Sequence, residues 1–140
     1  FRSNMFCLYS FAGAIEDRRG GLYFLGLVLA LAVISNLGQA VEANIRQQVQ
    51  TFGGMSGVDY GLFGYLFIKS RFDGRERYCI SSSTTFIVML WFALCILSDI
   101  PPFSAMLANT VGSIANSAHV AGLLAGGAIA YAPLLLRRAA

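Results

Sequence analysis

Charge is what this sequence has least of. Only 12% of its 140 residues are Asp, Glu, Lys or Arg, while 56% are hydrophobic, against about 25% charged and 45 to 50% apolar in soluble domains. A water-soluble fold is excluded on that balance. Three stretches, 20–41, 78–98 and 100–136, hold no Asp, Glu, Lys or Arg at all, and each reaches the roughly 20 residues that span a bilayer. They read as membrane spans. Histidine is also scarce: there is one, His119, and no His-Glu-x-x-His run, which argues against a zinc site or a zinc protease. An aspartyl protease needs two intramembrane aspartates, and Asp59 has no second one. Cys7, Cys79 and Cys95 are odd in number and lack Cys-x-x-Cys spacing, so they read as small buried hydrophobes rather than a disulfide framework or metal ligands. Cofactors and metals are not expected.

What charge there is lies in short basic clusters beside the apolar runs, so the net charge of +3 reflects membrane topology and not nucleic-acid binding. Arg18 and Arg19 follow the first apolar stretch, Lys69, Arg71, Arg75 and Arg77 precede Tyr78, and Arg137 and Arg138 close the last span. If these three clusters share the cytoplasmic side, the intervening loops carry only Arg46, the asymmetry of the positive-inside rule. The C-terminus is then cytoplasmic. The chain opens at Phe1 within an apolar stretch, 5–15, about half the length of a span. The expectation is a helix cut by the start of the sequence, with no signal peptide, because a basic n-region and a small-residue cleavage site are missing.

Five membrane segments follow: a truncated helix to about Ile15, then roughly 22–43, 56–68, 82–98 and 116–136, with outside loops at 44–55 and 99–115. Helices are required, since open strands leave backbone groups unpaired in lipid. Pro101 and Pro102 break the second loop. No repeat, low-complexity tract or domain boundary is visible. Segment 56–68 is too short to cross about 30 Å of hydrocarbon at about 1.5 Å per residue. Its start is therefore placed inside the membrane, where Gly53, Gly54 and Met55 would border a water-filled cavity with Ser56 at its floor.

Two phrases carry chemistry. Gly54-Met55-Ser56-Gly57 sets a hydroxyl between glycines at a loop-to-helix junction, where backbone N–H groups are free to face a substrate oxygen. The same residues also fit a helix cap, with Ser56 and Asp59 matching the Ser-x-x-Asp capping box. The second phrase surrounds His119, the sole ionisable side chain of the uncharged run 100–136 and hence a functional candidate. Gly122, Gly126 and Ala130 follow it on one helical ridge, and Gly57, Gly61 and Gly64 make a similar ridge after Ser56. Such ridges let helix backbones approach closely. Ser56 and His119 are thereby brought toward hydrogen-bond reach.

Together, Gly54 to Tyr65 (GMSGVDYGLFGY) and Ala115 to Gly126 (ANSAHVAGLLAG) resemble the GxSG and AHxxGxxxG signatures of rhomboid intramembrane serine proteases. Asn4 and the segment Phe11 to Gly20, with Glu16 as its acidic residue, resemble the family's HxxxN helix. The likeness covers nearly the whole chain, and the HxxxN histidine would fall immediately before Phe1. It implies an all-α, polytopic transmembrane helix bundle lacking the family's first helix and the start of its second, with residues 1–140 as an N-terminally incomplete catalytic domain. It also implies a multi-pass protein of a bacterial inner membrane that cuts transmembrane segments of other membrane proteins. By the same resemblance Ser56 is the nucleophile and His119 its base. Asn4 and the Ser56 N–H form the oxyanion hole, and Tyr60 packs on the His119 ring. Gly54 and Gly57 support the loop, and Asn116 either faces the cavity or acts as polar glue between helices. Asp59 is assigned to capping. The alternative is a non-catalytic rhomboid-like protein that binds transmembrane clients.

Overall fold

The computed structural model describes residues 2–47, 55–74, 78, 80–106 and 116–139, and among them all regular structure is helical. The helices are α1 (Arg2–Arg19), α2 (Gly21–Ile45), α3 (Ser56–Phe72), α4 (Ser82–Leu97) and α5 (Asn116–Ala139). α2 and the Asn116–Arg137 part of α5 are long and apolar enough to cross a membrane. By contact density, residues 1–79 and 117–140 form one compact unit and residues 80–116 another.

In the first unit α3 is the central element, with every residue from Gly57 to Leu66 buried. A 10-residue run buried on all sides needs neighbours all round, and α1, α2 and α5 supply them. α2 shows why it fits there. Its buried residues are Leu27, Leu31, Ser35, Gln39 and Ala43, a strict i, i+4 row, while Leu25, Leu29, Val33, Leu37, Val41 and Ile45 are exposed. The apolar row faces outward and the row with the polar groups inward, the distribution a lipid surroundings selects.

Side-chain pairs fix the directions of the helices. Leu31 and Ser35 of α2 stand against Gly61 and Gly57 of α3, and Tyr23 donates to Tyr65 across 3.1 Å, so α2 and α3 are antiparallel. Gly57 and Gly61 of α3 meet Gly122 and Gly126 of α5 in the same order, which makes α3 and α5 parallel. The C-terminal ends of α1, α3 and α5 and the N-terminal end of α2 accordingly gather at one end of this unit.

Helices run past the boundaries that charge suggests. α1 continues past Ile15 to Arg19, α3 past Ile68 to Phe72 and α5 past Leu136 to Ala139. The reason lies in what the basic residues touch. Arg18 lies over the Tyr78 ring at 4.6 Å and Arg19 over Tyr23 at 5.5 Å, so their charge is spent on aromatic faces. Lys69, expected as part of a loop cluster marking the membrane edge, is a core residue: its side chain is 1% exposed and pairs with Asp73, 2% exposed, at 2.8 Å. Arg137 adds a longer contact to the same Asp73 oxygen at 3.8 Å. Arg75, Arg77 and Cys79 lie outside the described residues, as do the side chain of Arg138 and the loop residues 48–54 and 107–115.

The second unit is built on α4. Ser81 caps it, its hydroxyl accepting from the Thr84 N–H at 3.0 Å, and a turn through Pro101 and Pro102 follows Ser98. Asn116 donates to the Cys95 carbonyl at 2.6 Å and to Asp99 at 2.7 Å, tying the first residue of α5 to the end of α4.

Candidate active site

α3 begins at Ser56 itself, with Met55 in the flanking position and no side-chain cap. The capping assignment is corrected by this. The Ser56 hydroxyl faces His119, its Oγ 2.9 Å from Nε2 across 63 positions of sequence. Asp59 is 8% exposed and neither carboxyl oxygen has a hydrogen-bond partner among the described residues. A cap would have satisfied at least one of them. Asp59 lies in the first turn of α3, three residues after Ser56.

His119 is 4% exposed. The Tyr60 ring lies against it, centroids 4.7 Å apart and planes inclined by 43°. Nε2 is engaged by Ser56, and Nδ1 has no hydrogen-bond partner among the described residues. A serine hydroxyl on an imidazole nitrogen, with an aromatic ring limiting the imidazole's rotation, is an arrangement that can transfer the hydroxyl proton as oxygen attacks an electrophile.

The close approach that permits this comes from glycine. A Cβ on Gly122 would strike the Gly57 carbonyl oxygen, and one on Gly126 the Gly61 carbonyl oxygen. Gly64 is also tight, though less so, since a Cβ there would stand 2.5 Å from the Leu123 carbonyl oxygen. The ridges of α3 and α5 thus pack backbone on backbone. Gly57 additionally admits Ser35, whose Cβ would lie 2.7 Å from an added methyl.

Sequence reasoning missed how α2 holds the start of α5. Gln39 is 1% exposed, and its side-chain oxygen accepts from the Ala118 N–H at 3.3 Å. Glu42 accepts a short hydrogen bond from the Ser117 hydroxyl and pairs with Arg46 at 2.7 Å. Gly38 makes room for Ala121, whose Cβ would be 2.6 Å from a methyl at that position. The spacing of Ser35, Gln39 and Glu42, four and then three residues apart on an otherwise apolar helix, was the available signal. Of the remaining anticipated residues, Asn116 is engaged with Cys95 and Asp99 as described. Gly54 and the side chain of Asn4 lie outside the described residues.

Comparison with known proteins identifies the family. A family model described as the Rhomboid domain matches residues 1–137. The rhomboid protease GlpG of Salmonella paratyphi A is 29% identical over 137 residues, covering 96% of this chain and 44% of its own length. GlpG of Salmonella typhi shows the same identity and coverage. The chain therefore spans less than half the length of these curated relatives. With the Rhomboid domain matched along nearly its whole extent, the chain belongs to the rhomboid family.

Proposed function

We propose that residues 1–140 are the catalytic domain of an intramembrane serine endopeptidase that cuts transmembrane segments of other membrane proteins. The observation that carries this reading is the 2.9 Å contact between Ser56 Oγ and His119 Nε2 inside an apolar helix bundle. His119 takes the Ser56 proton as Oγ bonds to the scissile carbonyl carbon, and the carbonyl π electrons move to oxygen. Collapse of that intermediate breaks the C–N bond, and the amine leaves with the proton from the imidazolium. Water then repeats the sequence on the acyl ester, releasing the acid and restoring Ser56. The Ser56 N–H and the Asn4 amide are the oxyanion donors in this scheme. A transmembrane helix must unwind locally to be cut, because its carbonyls are occupied by i to i−4 hydrogen bonds.

The same reading orients the domain with the end bearing Arg18, Arg19, Lys69, Arg71 and Arg137 toward the cytoplasm, the membrane being the inner membrane of a bacterium. The test is Ser56→Ala and His119→Ala in the full-length protein, with cleavage of a transmembrane reporter and labelling by a fluorophosphonate probe. Both variants should insert normally and neither should cleave, and labelling should vanish with Ser56. Wild-type cleavage in either variant refutes the dyad. A wild-type protein that captures transmembrane segments without cutting them and takes up no probe would favour the non-catalytic client-binding alternative.

A further inference from the structure

We infer that Glu42 is a positioning residue for His119, acting through Ser117. The inference rests on Ser56 and His119 being the reacting pair. The first N–H groups of a helix have no partner within it, so something outside α5 must satisfy them. Here Gln39 of α2 accepts from the Ala118 N–H at 3.3 Å, and α2 also takes the adjacent side chain, the Glu42 carboxylate accepting from the Ser117 hydroxyl. Ser117 and Ala118 are the two residues immediately before His119. A carboxylate at a helix N-terminus is also favoured by the peptide dipoles of that helix. The start of α5 is therefore held by two side chains of α2, one of them charged.

Three features make this fastening specific to the placement of the imidazole. The glycine contacts that seat α5 on α3 are tightest at Gly122 and Gly126, nearly one turn beyond His119, and looser in the first turn, where the Ala118 carbonyl oxygen stands 3.0 Å from a Cβ placed on Gly57. Tyr60 covers one face of the ring but is on α3, so it does not fix the height of α5. Nδ1 of His119 has no partner among the described residues, so no hydrogen bond on that side of the ring orients it. What remains for the first turn, besides the Asn116 bonds to Cys95 and Asp99, is the hold of α2: Glu42 on the Ser117 hydroxyl and Gln39 on the Ala118 N–H. Glu42 is itself steadied by Arg46 at 2.7 Å, one turn along α2.

The experiment uses the full-length protein in detergent micelles with a transmembrane reporter, comparing Glu42→Ala, Ser117→Ala, the double variant and Glu42→Gln. Each alanine variant should lower kcat roughly 10- to 100-fold, the scale of a misplacement of about 1 Å in a reacting group, with KM unchanged. The double variant should be no slower than the slower single one, because both remove the same link. Glu42→Gln keeps an acceptor oxygen and should retain most of the rate. A second readout does not depend on turnover: the imidazole 15N resonances of His119, assigned by their loss in His119→Ala, should move or split in both alanine variants and not in Glu42→Gln. Unchanged kcat and unchanged ring resonances in the alanine variants would overturn the inference. So would losses that multiply in the double variant, or losses accompanied by an equal fall in the fraction folded. If Ser56→Ala still cleaves, the protease reading fails by itself, and the His119 resonances continue to decide whether Glu42 and Ser117 position the ring.

Discussion

Replacing Gly126 with alanine adds one methyl group, yet the structure places it among the most damaging small substitutions available. A Cβ at this position would stand 2.6 Å from the Gly61 carbonyl carbon and 3.0 Å from its Cα, besides striking the carbonyl oxygen. Ordinary contact begins at about 3.5 Å, so α5 would have to move away from α3 by about 1 Å. Backbone cannot rotate aside as a side chain can. The cost belongs at the upper end of the 1 to 3 kcal/mol typical of overpacking, and the same displacement would stretch the 2.9 Å contact between Ser56 and His119. Gly61→Ala is the informative comparison. Its methyl would meet the Leu31 methyls at 2.7 and 2.8 Å, the far end of a flexible side chain, and the Gly122 carbonyl oxygen at a less severe 3.1 Å, and should cost about 1 kcal/mol, less than Gly126→Ala. Gly26, with nothing within 4 Å of an added Cβ, should gain roughly 0.5 to 1 kcal/mol from alanine's helix propensity. Thermal or SDS unfolding in detergent, run beside reporter cleavage, ranks the three. Equal stability and turnover for Gly126→Ala and wild type would refute the backbone-on-backbone packing of α3 and α5.

Asp59→Val removes a buried carboxyl that has no partner among the described residues and keeps similar volume, so it should raise unfolding stability by about 1 to 3 kcal/mol; a loss of stability would show that the carboxyl is paired. Lys69→Ala strands Asp73 in the core and should cost about 3 to 5 kcal/mol, while Lys69→Met with Asp73→Leu should cost far less, a difference readable from the same unfolding curves. Single cysteines placed at Arg71 and Ile100 on a Cys-free background should label from opposite sides of the membrane, Arg71 from the cytoplasm; labelling of Arg71 from outside would reverse the orientation.

Much of the bundle is written in where charge is absent. Each of α2, α4 and α5 lies largely within one uncharged run, because a span must avoid the cost of buried charge, though the run 100–136 begins well before α5 does. The same logic fails at Lys69, where the cost is met by an ion pair with Asp73 four residues on, and the helix continues through a position that charge alone marks as its end. The proximity of Ser56 and His119 was legible for a related reason: glycines at i, i+4 on both sequences have few uses other than close helix approach. Asp59 misleads because Ser-x-x-Asp is a local pattern, whereas the Ser56 hydroxyl is claimed by a partner 63 residues away. The clamp on α5 was not legible from one-dimensional spacing on α5. Its acceptors, Gln39 and Glu42, lie on another helix, and nothing local at residues 117 and 118 says that their donors will be met from α2.

The parallel pairing of α3 with α5 also sets an order of events during synthesis. The partner of the Ser56 hydroxyl among the described residues, His119, is made 63 residues after it. Until residues 117–126 have been made and inserted, the central helix has an open flank where Gly57, Gly61 and Gly64 await a neighbour, and Ser56 lacks its imidazole partner. A nascent chain stalled or clipped before His119 therefore exposes a glycine flank that the longer chain covers.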